Sequence, residues 1–206
     1  MIAVIDYGVG NLFSLTSSLA YLGAEAEIST TREQLQQADK IILPGVGAFG
    51  DAAIKLRQSG LEDTLKEQAA AGKPLFGICL GMQLLFEKGY EYGEYDGLGL
   101  IKGGIYPLTP DLRAAGFDYK VPQMGWNDIT IVAPDCPLLK SSKSGEYVYF
   151  VHSYYAKNCD EALAATCNYG VEVPALVYSG NVFGAQFHPE KSGDVGLKIL
   201  KTFIDM

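Results

Sequence analysis

The chain has 206 residues, 24 of them acidic against 16 Lys and Arg, and a formal net charge of −8. With no basic surplus to neutralise phosphates, a nucleic-acid partner is excluded, and no stretch reaches the ~18 consecutive apolar residues a membrane span needs. The length suits a single domain over residues 1–206, and 48% hydrophobic with 19% charged residues is ordinary for a globular protein.

Residues 2–6 form a short apolar run ended by Gly8, without the basic start of a signal peptide. They predict a first buried strand, and the cytoplasm is the expected location. Leu12, Leu15, Leu19 and Leu22 recur every three or four positions, which predicts a helix over 11–22. Asn11 suits its N-cap and Gly23 its stop. Residues 40–43 read as a strand closed by Pro44-Gly45. Helices follow over 49–57 and 61–71, a buried strand over 74–78, and another helix from Gly81 to Glu87. The second half is richer in strands, expected over 126–132, 147–151, 162–167, 175–178 and 182–187, before a last helix over 194–205.

Short apolar strands separated by helices imply α/β architecture: a mostly parallel open sheet with helices on both faces, extended by a strand-rich C-terminal half. Ligands of such sheets sit beyond the carboxyl ends of the strands. The four cysteines, Cys79, Cys136, Cys159 and Cys167, show no CxxC pair or framework spacing and are expected as free thiols. His152 and His188 are the only histidines, neither in a zinc-like cluster, so no metal is expected.

Gly77-Ile78-Cys79-Leu80-Gly81 follows a predicted strand and precedes a predicted helix, the pattern of a nucleophile elbow with Cys in place of Ser. A turn this sharp crowds its nucleophile, so the flanking positions must lack a Cβ. It also sets the sulfur at a helix N-terminus, which favours thiolate, and aims the Leu80 amide at an oxyanion forming on an attacked carbonyl. Without those glycines Cys79 would read as a small buried hydrophobe, as the other three cysteines do.

A nucleophilic cysteine calls for a histidine. His188 directly follows an apolar run, and Pro189 biases it toward an extended conformation. In an extended chain residues two apart project to one side, so His188 and Glu190 can face one site, with Glu190 orienting the imidazole. Taken alone, His188 would read sooner as a core histidine with Glu190 a surface charge; the cysteine elbow reverses that reading. His152, flanked by apolar and aromatic residues, reads as a pocket or packing residue.

Three elements in this order, Pro44-Gly45-Val46-Gly47, Gly77 to Gln83 and Phe187-His188-Pro189-Glu190, make the chain resemble the class I, or triad, glutamine amidotransferases, a flavodoxin-like fold. The resemblance implies that Cys79 attacks the side-chain amide of glutamine, that His188 protonates departing ammonia, and that water hydrolyses the thioester. It further implies oxyanion-hole amides at Val46, Gly47 and Leu80, and substrate contacts from Gln83, His152, Ser153 and Tyr154. It implies no cofactor.

Within that class, residues 6–11, 122–127, 149–154 and 188–192 resemble the family of glutaminase subunits that serve imidazole glycerol phosphate synthases in histidine biosynthesis. One departure is Gln123, where that family commonly has histidine. The resemblance implies a (β/α)8-barrel cyclase as partner in a heterodimer, contacted from segments that hold Tyr7, Asn11, Met124, Trp126 and Lys191. The absence of a GxxxxGK loop and of a dinucleotide fingerprint suits a chain that leaves the nucleotide to its partner. Tyr7, Met124 and Trp126 lie in glycine-containing turns, where large side chains either meet a partner or pack the core.

Overall fold

A computed structural model describes residues 1–206. Its first half runs β1 (Ile2–Ile5), α1 (Leu12–Tyr21), β2 (Ala26–Ser29), α2 (Arg32–Gln37), β3 (Lys40–Leu43), α3 (Phe49–Gln58), α4 (Glu62–Ala70), β4 (Leu75–Ile78) and α5 (Leu80–Leu84). Then come β5 (Phe86–Gly89), β6 (Tyr95–Asp96), β7 (Ile101–Pro107), α6 (Leu108–Ala114), β8 (Gln123–Asp128) and β9 (Thr130–Ile131). The chain ends with β10 (Tyr147–His152), β11 (Tyr154–Lys157), β12 (Leu163–Asn168), β13 (Glu172–Ser179), β14 (Val182–Ala185) and α7 (Gly193–Ile204).

The main sheet has the order β2-β1-β3-β4-β14-β13-β12-β9. Its first five strands are parallel, in the doubly wound order, and the last three are antiparallel. Alternate residues of each strand feed opposite cores. Ala3, Ile5, Ile41 and Leu43 pack with Leu35, Leu56 and Leu65 of α2, α3 and α4. Ile2, Val4, Ile42 and Phe76 pack with Leu15 and Leu19 of α1 and Leu200 and Phe203 of α7. Both faces are thus covered, as continuous apolar strands require. No helix is long and apolar enough to cross a membrane.

Local chemistry explains the well-placed elements. The Asn11 side chain accepts from Ser14 N at the start of α1, and Gly23, at φ +76°, ends the helix while Ala24 N reaches back to Leu19 O. Elsewhere the expectations need correction. The helix expected to reach Glu87 stops at Leu84, because Phe86–Gly89 pairs with β6 and β7 in a separate four-stranded sheet, order β11-β7-β5-β6. The strand expected over 126–132 is two strands. Residues 123–128 pair with β10, whereas Thr130 and Ile131 join the edge of the main sheet, with buried Ile129 between them. β2, α2 and the β5–α6 region were not foreseen. They carry few apolar residues or weak periodicity.

Candidate active site

Cys79 lies between β4 and α5 with φ +54° and ψ −111°, a backbone conformation costly for any residue with a Cβ. The neighbours explain the glycines. A Cβ on Gly77 would lie 2.6 Å from Gly81 O, and one on Gly81 only 1.8 Å from Leu43 O. The elbow is tied down on both sides, since Cys79 N donates to Ala185 O of β14 at 2.7 Å and Gln83 N to Cys79 O at 3.1 Å. The strain is thereby held by the parallel strands that flank it.

His188 follows β14 on the same sheet edge and is extended, φ −97° and ψ 100°. Its N–H donates to Tyr149 O at 2.9 Å. Glu190 reaches it by a route other than the expected one. Residues 189–191 form a single 3-10 turn instead of continuing extended, and that turn folds the carboxylate back so that Oε1 lies 2.8 Å from His188 Nδ1. Both side chains are almost fully buried. Nδ1–H donating to Glu190 leaves Nε2 on the Cys79 side, buried and without a formed hydrogen bond. Burial opposes charge on this ring, but the adjacent Cys79 thiol and Glu190 carboxylate outweigh it and raise His188 to about 9.

A cleft of about 380 Å³ opens on the sulfur and is lined by Val46, Gly47, Leu80, Gln83, His152, Ser153, Tyr154 and His188, among others. Gln83 points its amide away from solvent, donating to Tyr154 O at 3.1 Å and to Gln186 Oε1 at 3.0 Å. His152 Nδ1–H donates to Tyr154 O at 3.0 Å, and burial lowers its pKa to about 4, so it is neutral at physiological pH. Gly47 has φ +102° and Val46 is exposed at the rim, both just beyond the end of β3.

Of the five residues assigned to a partner surface, Met124 and Trp126 are 63% and 52% exposed, and Asn11 and Lys191 are also exposed. Tyr7 is not. It is 5% exposed, its hydroxyl donating to Pro44 O, because the turn after β1 folds its ring under the Pro44-Gly45 segment.

Three site residues escaped the sequence reading. Gln186 Nε2 lies 3.8 Å from Cys79 Sγ, and its only sequence signal is one amide inside the apolar run 182–187. Ser192 Oγ donates to His188 O at 2.6 Å and accepts from Tyr149 N at 2.9 Å, bracing the histidine against β10. Glu91, the one acidic residue on the cleft wall, accepts from Phe49 N at 2.7 Å and so caps α3, whose N-cap Ala48 has no side-chain acceptor. Nothing in the sequence marks Glu91, and Ser192 stood out only as part of the resembling segment 188–192.

A strained thiol, a carboxylate-bound imidazole and a cleft at one sheet edge form the equipment of an acyl-transferring cysteine enzyme. The class I glutamine amidotransferase family model matches residues 3–206, and the chain belongs to that family. It is 52% identical over 204 residues to the imidazole glycerol phosphate synthase subunit HisH of Bacillus licheniformis, covering 98% of this chain and 95% of that one. The subunit of the same name from Caldanaerobacter subterraneus subsp. tengcongensis is 47% identical over 207 residues, covering 100% and 98%. Among solved structures, a glutamine amidotransferase has a TM-score of 0.76 at 22% identity, covering 100% of this chain and 98% of that one. PurLQS from Thermotoga maritima has 0.75 at 22%, covering 99% and 97%. At that identity the likeness is one of fold.

Proposed function

We propose that the chain is the glutaminase subunit of an imidazole glycerol phosphate synthase, working in the cytoplasm with a (β/α)8-barrel cyclase. Cys79 Sγ, its proton already held by His188 Nε2, attacks the glutamine side-chain carbonyl carbon. The tetrahedral oxyanion faces the amides of Leu80, Val46 and Gly47. Its collapse breaks the C–N bond, and the proton on His188 goes to the departing nitrogen, which leaves as ammonia. Water, deprotonated by His188, then attacks the thioester; glutamate leaves and the thiol is restored. Glu190 holds the ring and offsets its positive charge, as the third member of such triads does. Glu91 suits the ammonium group of the bound amino acid.

The observation that carries this reading is the 2.8 Å pairing of His188 with Glu190 beside a strained, cleft-lining Cys79. Identity near half over the full length of relatives named as the HisH subunit supports the choice of partner. The exposed Met124 and Trp126 suit a docking face. A glutaminase assay tests the reading, with the chain alone and with the cyclase and its nucleotide present. We expect slow hydrolysis alone and a large increase in the complex. Full-rate hydrolysis by the isolated chain would instead describe a freestanding hydrolase.

A further inference from the structure

We infer that Tyr7 is a positioning residue for the oxyanion segment: its buried hydroxyl holds the Pro44 carbonyl and so aims the Val46 and Gly47 backbone at the oxygen of the carbonyl that Cys79 attacks. The inference rests on the glutaminase reading above and assigns a role to a residue the sequence had placed at the surface.

The Tyr7 hydroxyl donates to Pro44 O at 3.0 Å. Burial, reinforced by the nearby Cys79 sulfur, raises its pKa, so it stays a neutral donor throughout the working pH range. Pro44 has no N–H, so its carbonyl is the only backbone group by which that residue can be hydrogen-bonded, and Tyr7 takes it. The next residue is confined. A Cβ on Gly45 would lie 2.8 Å from the Tyr7 hydroxyl, 2.9 Å from Gly81 N and 3.0 Å from Leu80 Cβ. Phenol, oxyanion segment and elbow therefore meet at one point.

Over the next two residues the backbone restraints lapse. Neither Val46 N nor Gly47 N donates within the backbone, Val46 is exposed, and Gly47 has φ +102°. The Tyr7–Pro44 bond is thus the last hydrogen bond before the two candidate donors. Oxyanion donors act only when pre-aimed, and a misplacement of about 1 Å costs on the order of 100-fold in rate. A ring that only filled space would need no hydroxyl.

Tyr7→Phe keeps the ring and removes the bond. The test uses the chain in complex with the cyclase and its nucleotide, measuring glutamine-dependent kcat and KM together with the rate at which iodoacetamide alkylates Cys79, followed by peptide mass. Alkylation displaces iodide and forms no oxyanion, so it reports on the thiol alone. We expect kcat to fall about tenfold or more, with KM within about twofold and alkylation unchanged. Unchanged kcat would overturn the inference. So would a parallel loss of alkylation, which would mean a distorted elbow, or an effect confined to KM, which would mean a binding role. If the wild-type complex itself lacks glutamine-dependent activity, the functional reading fails instead.

Discussion

His188 Nδ1 lies 2.8 Å from Glu190 Oε1, and this one contact decides which ring nitrogen faces Cys79. His188 caps the single 3-10 turn that carries Glu190, so the carboxylate needs no other element to place it. The pairing orients the ring, helps keep its positive charge inside the fold, and yields the first two expectations.

Replacing Glu190 by Gln keeps size and position but removes the charge. The two histidines give two ring titrations, readable by NMR. In the parent chain one midpoint is expected near 9, for His188, and one near 4, for His152. In Glu190→Gln the His188 midpoint moves down while His152 stays, and kcat falls on the order of 100-fold. An unmoved His188 midpoint would count against the pairing.

The same shifts set opposite pH windows for stability. His188 is raised from an unfolded value of about 6.5, so its pairing stabilises fully below that pH and is lost as pH rises through about 9. His152 is depressed. Between about 6.5 and 4 the unfolded state binds the extra proton, and stability falls as pH drops through that window. Urea titrations across the pH range check this: Glu190→Gln should flatten the alkaline arm, and His152→Gln the acidic one.

Cys79→Ala should abolish glutamine-dependent synthesis by the complex while ammonia-dependent synthesis persists, because the receiving site belongs to the partner. Product assays with each nitrogen source measure this. Loss of both activities would mean that the subunit does more than release ammonia.

Gly81→Ala introduces a Cβ 1.8 Å from Leu43 O, a backbone atom that cannot swing aside. We expect a stability loss of about 2 kcal/mol or more. Chemical denaturation measures it, with Gly72→Ala, where the added Cβ meets nothing within 4 Å, separating crowding from backbone strain.

Trp126 is half exposed on β8, its ring edge-on to Tyr149 at 6.0 Å. Trp126→Ala should leave the fold intact and weaken cyclase binding by about 2 kcal/mol, read by calorimetric titration. Unchanged affinity would move the docking face elsewhere.

Much of the first half was legible in the sequence because its signals are local. Leucines at helical spacing predict α1, and glycine brackets predict the elbow, each within a few residues of the chain. The split of residues 123–131 between two sheets was not legible, since pairing with β10 and β12 depends on distant partners. Gln186, Ser192 and Glu91 were missed for the same reason: each acts through a hydrogen bond whose meaning exists only once the folded elements meet.

By itself the sequence determined the alternation of strand and helix, the strained turn at Cys79, and the adjacency of His188 and Glu190. All three follow from steric and periodic rules that operate over a few residues. The tertiary structure alone decided that the sulfur and the imidazole share one cleft, because β4 and β14 pair in parallel although about a hundred residues separate them. It also decided that Tyr7 lies inside and Trp126 outside. Both are aromatic residues beside a glycine, and burial is settled by what packs above them, which no local pattern encodes.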